Sequence, residues 1–148
     1  MSSNIIGLLI GGVGAAFLFG FSGVMQKASM SRGISLGPYM VTVGLTILLV
    51  GGVTWMVTRE SNFNLPAIGA ASLFAGLWAL GTLAVAFALQ RYGSPISLLN
   101  PLYNMNTLVA VVLGLFVFSE WDSVDVKQLI PGAVLIILGG VLCARASS

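Results

Sequence analysis

Histidine is absent from this chain, cysteine occurs once, and charged residues make up only 7% of the sequence. Without histidine, the chain lacks the commonest metal ligand and the commonest general base. The single cysteine, Cys143, cannot form a disulfide within the chain. The sequence also has no pattern suited to a nucleophile–base pair, a metal cluster or a phosphate loop. We therefore expect neither an enzyme nor a bound metal or cofactor.

The scarcity of charge accompanies long apolar segments. Hydrophobic residues make up 57% of the chain and the mean hydropathy is +1.04, whereas soluble domains are about one quarter charged. The composition predicts an integral protein of the lipid bilayer. The net charge of +2 is too small to indicate a nucleic-acid partner. Because no basic run precedes the first apolar segment, we expect that segment to be retained as a span.

A helix needs about 20 apolar residues to cross a bilayer, and five segments meet this length. The predicted spans are residues 4–26, 39–57, 66–90, 95–119 and 128–144. The third and fourth spans would measure about 80 Å as one helix at 1.5 Å per residue, so they must reverse between them. The sequence thus predicts one all-α domain over residues 1–148, a bundle of five transmembrane helices. Four spans, with the last helix lying at the interface, is the alternative.

Basic residues at the ends of the spans give a weak prediction of orientation. One side of the membrane would carry Arg59 and Lys127. The other side would carry Lys27, Arg32, Arg91 and Arg145. Because basic residues favour the cytoplasm, we expect the N-terminus outside and the C-terminus inside. A bias of four to two is also compatible with insertion in both directions.

Span four carries an unusual group of uncharged polar residues. At 100° per residue, Asn100, Tyr103, Asn104 and Thr107 fall within an arc of about 100°. Pro101 cannot donate a backbone hydrogen bond and so frees a carbonyl one turn earlier. These donors and acceptors suit a small polar solute, neutral or zwitterionic, in a cavity. The alternative is a hydrogen-bond network between helices, worth about 0.6 kcal/mol per bond.

Two further residues complete the predicted solute site. Gln26 shares one face of span one with Ser22, and Trp78 lies one turn before Thr82 in span three. Trp78 is at mid-depth, where it would line a cavity or fill the core. The predicted substrate-binding residues are Asn100, Tyr103, Asn104, Thr107, Trp78 and Gln26. No acidic residue lies inside a predicted span, which argues against a proton antiporter built on an intramembrane carboxylate.

The order of these landmarks resembles one EamA-type domain of the drug/metabolite transporter superfamily. The matching segments are Phe17–Gly20 with Gln26–Lys27, Ala86–Ser94 before Pro95 and Pro101, Phe118–Glu120, and Gln128 with Gly132–Val141. The resemblance covers nearly the whole chain. The segment Asn100–Asn106 is also similar, more weakly, to sugar porters of the glucose/ribose type.

The resemblance implies a second half. Most members of that family carry two such domains in inverted orientation, giving ten helices around a central site. We therefore expect a half-size transporter of a small polar metabolite in a bacterial inner membrane. It would work as a homodimer or with a separate inverted partner. The alternative is a non-transporting subunit that packs into a larger membrane complex through rows of small residues, such as Gly7 and Gly11.

Overall fold

A computed structural model describes residues 3–146, so residues 1, 2, 147 and 148 of the predicted domain lie outside it. The fold is 84% helical, and no strand occurs within residues 3–146. Five helical segments are long and apolar enough to cross a membrane. They are Ile5–Ser31, Leu36–Thr58, Leu65–Arg91, Ile96–Val117 and Val126–Ala144. The prediction of an all-α membrane protein with five spanning helices is confirmed.

The observed ends of the spans differ from the predicted ones most at the end of span one and at the start of span two, which begins at Leu36 and not at residue 39. Span one continues past Lys27 to Ser31 and ends before Gly33, whose φ of 85° only glycine adopts without strain. Span five begins at Val126, because the Asp125 carboxylate accepts a hydrogen bond from Lys127 N–H at 3.0 Å and caps the helix. Pro131 therefore lies inside this helix and does not mark its start.

Seven α-helices build these spans. Span one consists of α1 (Ser3–Leu8), a π-helical segment (Leu9–Gly14) and α2 (Ala15–Ser31). Spans two and three are single helices, α3 (Leu36–Thr58) and α4 (Leu65–Arg91). Span four is divided into α5 (Ile96–Tyr103) and α6 (Asn106–Val117), and span five is α7 (Val126–Ala144). A 3-10 turn, Glu120–Asp122, follows α6.

The chain forms two compact units. The central unit is Val24–Gly93, and the terminal unit combines the chain up to Gly23 with the chain from Ser94 onward. In the central unit α3 packs against α4, and the buried apolar residues include Met30, Tyr39 and Leu89. In the terminal unit α5 and α6 both pack against α7, where Leu115 and Ala133 are buried. Most other large apolar side chains are exposed, as expected for helices that contact lipid.

Candidate functional site

Span four is interrupted near its middle. Asn104 and Met105 separate α5 from α6, and their ψ angles of −11° and −13° are shallower than the α-helical value. The backbone bonds here join residues three apart, the pattern of a 3-10 helix. They run from Met105 N–H to Leu102 O (3.1 Å), from Thr107 N–H to Asn104 O (3.1 Å) and from Leu108 N–H to Met105 O (3.0 Å). Span four is therefore not a regular α-helix at its centre.

This interruption changes which carbonyl groups have helical donors. In a regular α-helix, Met105 N–H would bond to Pro101 O, and Thr107 N–H would bond to Tyr103 O. Both donors instead bond to the carbonyl one residue further on. Pro101 itself has no N–H for Ser97 O. Since a polar group without a partner is costly in lipid, these mid-span carbonyls are places where a donor from a solute, water or another helix would be stabilising.

Asn100 lies where α5 meets span one. Within the described residues, no group donates a hydrogen bond to its buried side-chain Oδ1 atom. The carboxamide lies directly against Gly23, which is buried. A Cβ at Gly23 would be 2.8 Å from Asn100 Nδ2 and 3.0 Å from Oδ1. Any residue larger than glycine at this position would displace the carboxamide. Sequence reasoning missed Gly23, whose one signal was its position three residues after Gly20.

A second glycine fixes the interruption against span five. A Cβ at Gly140 would be 3.0 Å from Pro101 O, 3.2 Å from Met105 Cγ and 3.4 Å from Met105 Sδ. The neighbouring Gly139 has no such contact, since nothing in the described chain lies within 4 Å of its Cβ position. The close approach of α5 to α7 thus depends on Gly140. The sequence shows a Gly139–Gly140 pair but not which of the two is in contact.

Thr107 has different neighbours from Asn100. It lines a cavity of about 250 Å³ between α6 and α7. The cavity is lined by Thr107, Val111, Gln128, Leu129, Gly132, Ala133 and Ile136. The Thr107 hydroxyl donates to Asn104 O at 2.8 Å, so its hydrogen is already bonded within the helix. The cavity wall is therefore mostly apolar.

The four residues of the expected arc of span four have different surroundings. Asn100 contacts Gly23, Thr107 lines the cavity beside α7, and Tyr103 and Asn104 are exposed. Substrate binding by these four residues remains a prediction.

The other two predicted site residues belong to the central unit. Gln26 Nε2 donates to Thr82 O at 3.1 Å, and the Gln26 side chain also forms a hydrogen bond with the Tyr39 side chain. Gln26 therefore joins α2, α3 and α4, a structural role that the sequence did not indicate. Trp78 is 41% exposed on α4, so it does not fill the core of this unit.

Among the described residues, no group of three His, Cys, Asp or Glu side chains could hold a metal ion. The polar groups of span four are instead amides, hydroxyls and backbone carbonyls, which bind through hydrogen bonds. Comparison with protein-family models, with curated proteins and with solved structures gives no match.

Proposed function

We propose that this chain is one half of a membrane transporter for a small polar metabolite. The observation that carries the proposal is the interrupted span four. In many transporters, solutes and ions bind near the middle of the bilayer where a spanning helix is discontinuous. Here the interruption leaves the carbonyls of Pro101 and Tyr103 without their regular helical donors, and the buried Oδ1 of Asn100 in the same span accepts no hydrogen bond from the described residues.

The chemistry of span four supports an uncharged or zwitterionic solute. No charged residue occurs between Ile96 and Val117. The available groups are instead the amides of Asn100 and Asn104, the hydroxyl of Tyr103 and the backbone carbonyls of the interruption. A solute with several N–H or O–H groups would satisfy these acceptors, and it would need no counter-ion.

The second half is a second copy of the chain in inverted orientation, or a separate inverted partner. Alternating access in many transporters uses two inverted repeats around one site. Tyr103 and Asn104 are exposed, and an inverted half against this face would enclose them. The likeness to an EamA-type domain leads to the same arrangement. We place the assembly in a bacterial inner membrane, with the N-terminus outside in the favoured orientation and some copies inserted the other way.

A non-transporting subunit of a larger membrane complex is the second candidate. The glycines of span one favour it: Gly7, Gly11, Gly12 and Gly20 have no atom of the described chain within 4 Å of their Cβ positions. Such glycines allow close approach of another helix. In this case the polar groups of span four would bond to the partner protein, and no solute would bind.

Solute binding by the purified protein distinguishes the two candidates. Thermal unfolding is measured with sugars, amino acids, nucleosides and phosphorylated metabolites, first for the natural chain and then for Asn100→Leu. The matched control is Asn106→Leu, because Asn106 is exposed and lies outside the predicted arc. The transporter proposal expects one class of solute to raise the melting temperature of the natural chain and the control, but not of Asn100→Leu.

Transport into proteoliposomes by the same three proteins is the second measurement. Uptake of the stabilising solute by the natural chain and the control, lost in Asn100→Leu, would support the transporter. If no solute stabilises the protein, and Asn100→Leu instead changes the size of the assembly isolated from the native membrane, the subunit is correct and the transporter proposal is refuted.

A further inference from the structure

The charged residues of the central unit are divided unequally between its two ends. At one end α2 and α4 finish and α3 begins, and Lys27, Arg32 and Arg91 lie within about one turn of these helix ends. At the opposite end, where a loop joins α3 to α4, Arg59 and Glu60 are adjacent. Glu60 is the only acidic residue in the sequence of this unit. The basic end, defined by the first three residues, therefore has no acidic side chain to balance its charge.

A hydrogen bond between two segments of the chain holds the basic end together. Gln90 Nε2 donates to Ile34 O at 2.9 Å. Arg91 follows Gln90 directly, and Arg32 lies two residues before Ile34 in the loop between α2 and α3. Both arginines are exposed, whereas Lys27 is half-buried. Because the bond ties the last turn of α4 to this loop, it keeps the two arginines at one part of the surface.

The basic end lies at the depth of the lipid headgroups. The spans that end here are long and apolar enough to cross a membrane, so their ends reach the interface between lipid and water. Tyr92 is 74% exposed, and its ring meets the Phe87 ring edge-on with the ring centroids 5.9 Å apart. An exposed tyrosine beside an apolar ring is typical of this interface. The arginines are therefore level with the phosphate groups of the lipids.

We propose that the basic end binds the phosphate group of an anionic phospholipid. A guanidinium group can donate two parallel hydrogen bonds to phosphate oxygens, and Arg32 and Arg91 supply two such groups. Lys27 adds a third positive charge. Since the unit has no acidic side chain here, the counter-charge comes from another molecule, and the bilayer holds phosphate at this depth at high local concentration. Lipid binding goes beyond the proposed transport function and does not depend on it.

The positions of the arginines distinguish a lipid site from a general preference of basic residues for one side of the membrane. Orientation depends on the number of basic residues, whereas a site also depends on where they are held. Gln90→Leu removes the bond to Ile34 O and leaves every charge in place. Gln90 is exposed, so its replacement leaves no cavity in the core. We therefore assign Gln90 the role of a positioning residue for the lipid site.

Native mass spectrometry of the full chain in detergent can measure the affinity for the first bound lipid. The chain is titrated with phosphatidylglycerol, which is anionic, or with phosphatidylcholine of the same acyl chains, which has no net charge. We expect the natural chain to bind phosphatidylglycerol more tightly. Arg32→Gln and Arg91→Gln should each weaken this binding about fivefold, and neither should change the affinity for phosphatidylcholine. Detergent removes any effect of membrane orientation.

Two further variants separate position from charge. Arg59→Gln removes the same charge from an exposed residue at the opposite end of the unit, and it should leave the affinity for phosphatidylglycerol unchanged. Gln90→Leu should weaken the binding of phosphatidylglycerol several-fold with all charges retained. Equal affinities of the natural chain for the two lipids would overturn the site. An equal loss in Arg59→Gln, or an unchanged affinity in Gln90→Leu, would show that only the number of charges matters and would also overturn it.

Inorganic phosphate and a second copy of the chain are the competing occupants of the basic end. Thermal unfolding with inorganic phosphate alone tests the first of them. Stabilisation equal to that given by phosphatidylglycerol would assign the basic end to a soluble anion and overturn the lipid proposal. The second copy would contribute its acidic turn, Glu120–Asp122. If Arg32→Gln dissociates a dimer and leaves the affinity for phosphatidylglycerol unchanged, the basic end binds that copy and the lipid proposal is wrong.

Discussion

The central unit and the terminal unit differ in where their polar side chains find hydrogen-bond partners. In the central unit, Gln26 and Gln90 donate to the carbonyls of Thr82 and Ile34, at 3.1 and 2.9 Å. Four hydroxyls of this unit donate to carbonyls of their own helices four residues earlier. They are Thr42, Thr46, Thr54 and Ser72, at 2.8–2.9 Å. The polar groups of the central unit thus stabilise its helices and their packing.

The terminal unit instead concentrates amide and carbonyl acceptors in one interrupted span. Asn100 Oδ1 accepts no bond from the described residues, and the carbonyls of Pro101 and Tyr103 lack their α-helical donors. A hydroxyl of serine or threonine can bond to its own helix, as Thr107 does with Asn104 O, whereas Asn100 lies against a glycine that has no side chain. The number of polar residues in a membrane helix is therefore a weaker indicator of binding than their local hydrogen-bond partners.

Replacement of Asn100 should change solute binding more than any other substitution considered. We expect Asn100→Leu to abolish solute binding, with at least a tenfold loss of affinity. The stability of the protein should stay the same or rise, because the substitution removes a buried acceptor whose lack of a partner costs about 1–3 kcal/mol. Thermal unfolding and solute titration of the same sample measure the two quantities. A large loss of stability would instead assign Asn100 a structural bond like that of Gln26.

The next effect in size concerns the contact between Asn100 and Gly23. Gly23→Ala places a methyl group 2.8 Å from Asn100 Nδ2, so the carboxamide must move, and a side chain forced out of its rotamer costs about 0.5–1.5 kcal/mol. Gly20→Ala is the control, since the described chain leaves its Cβ position open within 4 Å. Thermal unfolding of both variants and of Gly23→Ala combined with Asn100→Ala gives the coupling between the two positions. Equal melting temperatures for Gly20→Ala and Gly23→Ala would contradict the contact.

These two predictions involve features that the sequence did not disclose. The five spans were predictable because length and hydropathy alone determine which segments can cross a bilayer. The interruption was not, because Pro101 predicts a disturbed carbonyl before it, at Ser97, whereas the helix is interrupted after it, at Asn104 and Met105. No account of that position follows from the proline alone. Nothing in the sequence distinguished Gly23 and Gly140 among the 19 glycines, because the glycines that allow two helices to approach closely depend on which helices pack together.

Replacement of Gln26 should have a smaller effect, and it tests the structural role of polar side chains in the central unit. Gln26→Leu removes the bond to Thr82 O and the bond with Tyr39. We expect a loss of about 0.5–1.5 kcal/mol for each hydrogen bond removed, with solute affinity unchanged in protein that remains folded. Thermal unfolding and solute titration are again the measurements. A loss of solute affinity without a loss of stability would assign Gln26 to the solute site. The two units would then no longer differ in the role of their polar side chains.

The smallest effect is expected from one substitution made in both units, Thr46→Val and Thr107→Val. Both hydroxyls donate to a carbonyl of their own span, Thr46 to Thr42 O at 2.9 Å and Thr107 to Asn104 O at 2.8 Å. Each of these carbonyls can also accept a hydrogen bond from a backbone N–H, as Asn104 O does from Thr107 N–H. Loss of either hydroxyl should therefore change the unfolding free energy by no more than about 0.5 kcal/mol.

Solute affinity separates the two threonine variants where stability does not. Thr46 lies on α3 of the central unit, so Thr46→Val should bind the solute as the natural chain does. Thr107 belongs with Asn100 to the predicted polar arc of span four, so Thr107→Val should bind several-fold more weakly, because a hydroxyl can still accept a bond after donating one. Solute titration of the two variants measures this ratio. Equal affinities would mean that Thr107 stays turned toward α7 when the solute is bound, and the site would then consist of α5 and the interruption alone.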